Sequence, residues 1–213
     1  MMRNLSIITL TFFLLTNNVW GQNDKKAISI LDKLSSTALA APSVSMNFLL
    51  IKVDQIQNSI DSLAGSVILS KDSYKLTLPD NIIWFNGETS WSYLPAEEEV
   101  TITKPDKKDN SFQSRPSSIF TMYKSGYKCR LIEERSDSYV IDLYPEDIKN
   151  ELIRVRLTVT KPAMNLKNFE YKRRDGTTVT ILITDYNLTQ APDPGLFNFA
   201  PEKYKGVDVI DMR

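Results

Sequence analysis

Two hydrophobic periods divide this chain. Ala27, Ile30, Leu31, Leu34 and Ala38 recur three and four apart, which is one face of a helix, and Lys25, Lys26, Asp32 and Lys33 fall mostly on the other. Asn23 or Asp24 is placed to cap this helix and Ala41-Pro42 to end it. After Pro42 the period becomes two. Val44, Met46, Phe48 and Leu50 alternate with Ser45 and Asn47; Leu63, Val67 and Leu69 share parity, as do Tyr74, Leu76 and Leu78. The run Ile82 to Phe85, then Asn86-Gly87, then Ser90-Trp91-Ser92-Tyr93 predicts a hairpin, because Asn-Gly supplies the positive φ values that a tight turn needs. Val100 and Ile102 continue the alternation. Further strands are predicted at Tyr127–Glu134, Tyr139–Tyr144, Leu152–Thr160, Leu166–Arg173 and Thr177–Leu188, with Asp175-Gly176 as a second hairpin turn.

One polar stretch, Lys104 to Ser114, interrupts the strands and reads as a loop. Arg115 to Lys124 then predicts a short second helix, with Pro116 in its first turn, Ile119, Met122 and Tyr123 on its apolar face, and Gly126 at its exit. A sheet of about eleven strands must curl or close to protect its edges. Two amphipathic helices can cover one side of it, and a curled sheet of this size can enclose a cavity as well as a core.

The N-terminus has a different purpose. Arg3 is followed by the uncharged apolar run Leu5 to Leu15, then by Val19-Trp20-Gly21 with its small final residue. The apolar run is shorter than the ~20 residues a membrane span needs, so residues 1–21 read as a secretory signal cleaved before Gln22. Residues 22–213 then form one exported domain with a sizeable core.

Composition removes several chemistries. Lys+Arg and Asp+Glu are balanced at 26 each, which argues against a nucleic-acid binder. There is no His and a single Cys, Cys129, so His-dependent triads, Cys/His zinc sites and intrachain disulfides are excluded. No glycine-rich phosphate loop is present. Carboxylate chemistry stays open, but the one acidic cluster, Glu97-Glu98-Glu99, follows Pro95 in a turn and reads as solvated. Lys172-Arg173-Arg174 reads as an exposed hairpin end, with a docking patch for an acidic partner or anionic headgroups as the alternative. Cys129, within a strand, reads as a buried thiol. Trp84, Phe85, Trp91 and Tyr93 flank one hairpin and are either core or the wall of an apolar ligand cavity; periodicity does not separate the two.

Five stretches, in order, resemble the outer-membrane lipoprotein carrier family (LolA type). Ala27 to Leu34 is similar to its opening helix, and Ser43 to Leu50 to its first strand. Gly65-Ser66-Val67-Ile68-Leu69 is similar to its glycine-containing second strand. Asn86-Gly87-Glu88-Thr89-Ser90-Trp91-Ser92-Tyr93-Leu94-Pro95 is similar to its most specific block. Phe197-Asn198-Phe199, Pro201 and Gly206-Val207-Asp208-Val209 are similar to its C-terminal segment.

The resemblance implies a mainly β fold: an unclosed antiparallel half-barrel of about eleven strands, enclosing a hydrophobic cavity under a helical lid. It implies a periplasmic chaperone, not an enzyme and without metal or cofactor, that holds the acyl chains of lipoproteins. Its partners would be the acylated cargo, the inner-membrane lipoprotein-releasing ABC transporter and an outer-membrane acceptor, with the chain itself a monomer. Combined with strand parity, it names Val44, Met46, Phe48, Leu50, Val67, Leu69, Leu76, Trp84, Trp91 and Tyr93 as cavity lining and Ile119 and Met122 as lid residues. The chain departs from the family at Ser70-Lys71-Asp72-Ser73, where an Arg-Pro pair whose arginine latches the lid is usual; Lys71 lacks the planar fork of an arginine. Three other readings are a lipid-sensing regulator of the same fold, a carboxylate-dependent envelope glycosidase, and a structural β-domain filled by its own side chains.

Overall fold

The computed structural model describes residues 24–105, 114–189 and 191–213. The expected signal segment and most of the polar loop lie outside these residues. The first element is a helix, α1, over Lys25–Ala40. Asp24 caps it by accepting from the backbone N–H of Lys26 at 2.8 Å and of Ala27 at 3.2 Å.

The strands are β1 (Ser43–Asp54), β2 (Ser59–Ser70), β3 (Ser73–Thr77), β4 (Ile82–Phe85), β5 (Ser90–Leu94), β6 (Glu99–Thr103), β7 (Tyr127–Glu134), β8 (Ser138–Pro145), β9 (Leu152–Thr160), β10 (Leu166–Arg173), β11 (Thr177–Thr189) and β12 (Asp208–Asp211). They form one sheet in the order β12-β6-β5-β4-β3-β2-β1-β11-β10-β9-β8-β7. Two meanders are thus joined where β11 returns to pair with β1. Gly87 and Gly176, the second residues of the two predicted hairpin turns, have φ of +97° and +85°.

The structure differs from expectation in two places. There are twelve strands in the sheet, because Asp208–Asp211 adds to β6 in parallel. Its sequence, Asp-Val-Ile-Asp, has no period of two and gives no strand signal. The second helix is not an α-helix: Pro116–Phe120 and Met122–Lys124 are two 3₁₀ turns separated at Thr121. Ser118 N–H bonds to Arg115 O, and Thr121 N–H to Ser118 O, each three residues back. A stretch this short does not offset the cost of helix nucleation, and its serines and threonine compete for backbone groups.

One face of the sheet curls around α1. Ala27, Ile30, Leu31, Leu34 and Ala38 meet Val44, Met46 and Phe48 of β1, Val67 and Leu69 of β2, and the alternating Val155, Leu157 and Val159 of β9 in one continuous core. Gly65 sits opposite Phe48 in the β1–β2 register. The Phe48 ring lies across it: a Cβ on residue 65 would be 2.6 Å from Phe48 Cζ and 2.8 Å from Leu78 Cδ2. Gly65 is therefore required by close packing and not by backbone conformation. Gly65→Ala is expected to lower stability by about 1–3 kcal/mol in urea unfolding, as overpacking does. The Gly65→Ala/Phe48→Leu double variant should recover part of that loss.

Candidate functional site

The candidate site is the inner face of β1–β4 with its covers, α1 and the 3₁₀ segment. Cross-strand partners share a face, so register assigns each side chain. Val44 pairs with Leu69, Met46 with Val67, and Val67 with Leu76. All five, with Phe48, are buried, and Leu50 is half-buried against the same cluster. From the 3₁₀ segment Ile119, Phe120 and Tyr123 are buried and Met122 is packed at the margin. Nine of the twelve expected lining and lid residues thus come together here: Val44, Met46, Phe48, Leu50, Val67, Leu69, Leu76, Ile119 and Met122.

The structure places Trp84, Trp91 and Tyr93 elsewhere. Trp84 pairs with Trp91, and Ile82 with Tyr93, on the opposite face from Ile83 and Phe85. They form a second cluster with Val100 and Ile102, covered by Phe199, Tyr204 and Val207 of the C-terminal segment. Trp84 meets Phe199 and Tyr204 edge-on, with ring centroids 5.6 Å away in each case. The physical reason is parity: the residues beside Trp91 on the inner face of β5 are Ser90 and Ser92, so at β5 the apolar face changes sides.

The sequence reading also left out residues that belong to the inner face. Phe120 was hidden because an α-helical period set it off the apolar face of its segment. Ile83 was hidden inside an unbroken apolar run. Ile141, Leu143, Val155, Leu157 and Val159 were legible from alternation in β8 and β9, and they complete the wall opposite β1–β4.

Tyrosine hydroxyls tie the cover to its neighbours. Tyr123 Oη donates to Asp32 Oδ1 of α1 at 2.5 Å, and Tyr74 Oη donates to the Ser114 carbonyl at 3.2 Å. Lys71, in the arginine's place, stands in the β2–β3 turn, exposed. The Tyr123–Asp32 bond thus fastens the segment to α1 from another direction. Burial, and then the bond to Asp32, pushes the Tyr123 hydroxyl up to about 12. Cys129 is fully buried beneath the segment, and burial pushes its thiol up to about 11.

The face is apolar and carries no catalytic constellation among the described residues. Its buried groups are apolar apart from hydroxyls such as that of Ser35. The buried carboxylate Asp142 belongs to the outer face, where Arg156 grips it through Nε and Nη2 at 2.6 and 2.8 Å. Among the described residues no group of acidic or cysteine side chains stands together to hold a metal.

Comparison with known proteins agrees with this architecture. The family model for the outer membrane lipoprotein carrier protein LolA matches residues 18–177. An uncharacterised conserved protein from Thermus thermophilus has a similar structure, with a TM-score of 0.59 at 12% identity, covering 88% of this chain and 99% of that one. A LolA superfamily protein from Nitrosomonas europaea gives a TM-score of 0.43 at 15% identity, covering 81% and 97%. No curated protein matches the chain.

The raised Tyr123 value has a sign that can be measured. A folded-state value above the unfolded 10.0 contributes stability that is complete below pH 10 and is lost as pH rises towards 12. Tyr123→Phe should cost about 1 kcal/mol at neutral pH. The gap between the two proteins in thermal unfolding should narrow between pH 10 and 12. In the native protein Cys129 should react with a thiol reagent at pH 8 at least about a hundred-fold more slowly than in urea, since its thiolate is scarce and covered.

Proposed function

The chain belongs to the outer-membrane lipoprotein carrier family, and we propose that it is a periplasmic chaperone that shields the acyl chains of lipoproteins between the inner face of its sheet and its cover. It takes cargo from an inner-membrane ABC transporter and delivers it to the outer membrane. The observation that carries this reading is the continuous apolar face of β1–β4, closed by short 3₁₀ turns whose polar ties to α1 and β3 include the Tyr123 and Tyr74 hydrogen bonds.

Magnitudes favour exchange. One saturated acyl chain left in water costs roughly 12 kcal/mol, at ~0.8 kcal/mol per methylene, so free passage between membranes is negligible. Displacing the cover exposes Ile119 and Phe120, at roughly 1.5–3 kcal/mol each. Entry of one chain offsets that with some to spare, and departure of the chain lets the cover close again. The inner face therefore has two competing occupants, the cover and the cargo, and such a face can both load and unload. Direction comes from ATP upstream and a better acceptor downstream.

The test is lipoprotein release. Protein beginning at Gln22 is incubated with energised spheroplasts of the native host, and ATP-dependent soluble complexes with lipoproteins are expected. Leu50→Glu, at a half-buried lining position, should lower recovered complex about ten-fold while retaining the native circular dichroism spectrum. Absence of release, with apolar probes still bound, would replace the carrier by the lipid-sensing regulator of the same fold.

A further inference from the structure

The outer face of the sheet breaks the rule that a one-sided antiparallel sheet turns polar residues to water. Leu49, Ile51 and Val53 lie opposite in parity to Phe48 and Leu50 and pack into neither apolar cluster. Their neighbours extend the strip. Val53 pairs with Ile60, which is 73% exposed, and Leu49 pairs with Ala64 and with Leu182, which is 37% exposed. Where the outer face is apolar at β4–β6, the chain covers it with Phe199, Tyr204 and Val207. Over β1, β2 and β11 no described segment does the same.

Two further features adjoin the strip. An open recess of about 610 Å³, mainly apolar in its lining, is bounded by Asn47, Leu49, Ala64 and Ser66 of the outer face and reaches Phe48 and Leu78 of the inner cluster. Beside β11 the outer face becomes charged. One row runs Arg130–Asp142–Arg156–Glu170–Thr180–Ile51, each residue paired to the next across strands. Alongside it, Arg154 pairs with Lys172, Lys172 with Thr178, and Thr178 with Val53, while Lys128 stands on β7. Arg156 is tied to Asp142 and Arg154 to Glu170. Lys128, Arg130 and Lys172 remain as surplus positive charge.

We propose that this outer face, with an apolar strip at Leu49, Ile51 and Val53 among the polar side chains of β1, β2 and β11 and surplus positive charge over β7–β10, docks an acidic protein partner that places an apolar side chain in the recess at Leu49 and Ala64. An apolar centre beside a charged margin is the anatomy of a protein interface. The surplus cations select an acidic partner and oppose pairing with a second copy through the same face. A flat bilayer would meet the outside of a curled sheet along a line and leave the recess unfilled, so a protein protrusion fits better. The docking face lies on the other side of the sheet from the acyl-binding face and shares Phe48 with it at the recess, and its test reads peptide binding where the other reads lipoprotein release.

The probe is a short peptide of glutamates around a single leucine, titrated into isotope-labelled protein beginning at Gln22 and followed by amide shifts. Shifts at Leu49, Ile51, Val53, Ala64 and Leu182, and at the cationic positions Lys128 and Lys172, are expected. Affinity should fall about ten-fold in Lys128→Glu/Lys172→Glu, fall by a similar factor when the leucine becomes serine, and weaken with salt. Two arms address the other occupants: vesicles of phosphatidylethanolamine and phosphatidylglycerol, and sedimentation velocity of the protein alone. Peptide binding that is absent, or indifferent to the charge reversal in a folded variant, overturns the proposal. So does vesicle binding abolished by the same reversal, or a dimer dispersed by Ile60→Glu.

Discussion

A twelve-stranded sheet has more apolar surface on its inner face than water tolerates, and α1 and the 3₁₀ segment are arranged around covering it. Curling alone is not enough, because an unclosed sheet still has a mouth. α1 fills the space between the two meanders, and the two 3₁₀ turns cover the remainder. Each contributes buried side chains to the same core as β1, β2 and β9. The cover is therefore a structural necessity before it is a functional device. A cover built of short turns is also the part of such a structure with the fewest interactions to lose, and that is where local opening concentrates.

The sheet's edges follow the same logic. At β7 the chain uses one residue twice. Asp24, which caps α1, also accepts from Leu131 N–H at 3.3 Å, while its own N–H donates to Cys129 O at 3.0 Å. Helix start and strand edge are thus tied together, and the middle of the edge is occupied by the chain itself. At the far side β12 extends the sheet in parallel and brings the C-terminal segment over Trp84, Trp91 and Tyr93. The aromatic block most characteristic of the sequence proves to be the anchor for that segment. It stabilises the wall of the site from outside and does not line it.

Much of this was legible beforehand. The capped amphipathic helix, both glycine hairpin turns and the strands from Val44 to Leu188 follow from periods of 3.6 and two, and the structure has them in those places. Nine of the twelve expected site residues are on the inner face for the same reason. Residues inside an unbroken apolar run were legible only where alternation before the run, as at Val44 and Met46, set their side. In the Phe48 to Ile51 run and the Ile82 to Phe85 run every position is apolar, and alternation within the run has nothing to say about which side a residue takes.

The sequence by itself determined the elements, because hydrogen-bonded period and apolar spacing are local properties of the chain. It also determined, through absent histidine and a lone cysteine, which chemistries the site does not use. Only the tertiary structure decided which apolar face is inner and which outer. At β4 and β5 it turned the tryptophans outward, because the C-terminal segment arrives there to cover them. At β1 no described segment covers Leu49, Ile51 and Val53, because α1 and the 3₁₀ turns of Pro116–Lys124 are committed to the other side. A face is buried by whatever packs on it, and what packs on it comes from distant parts of the chain.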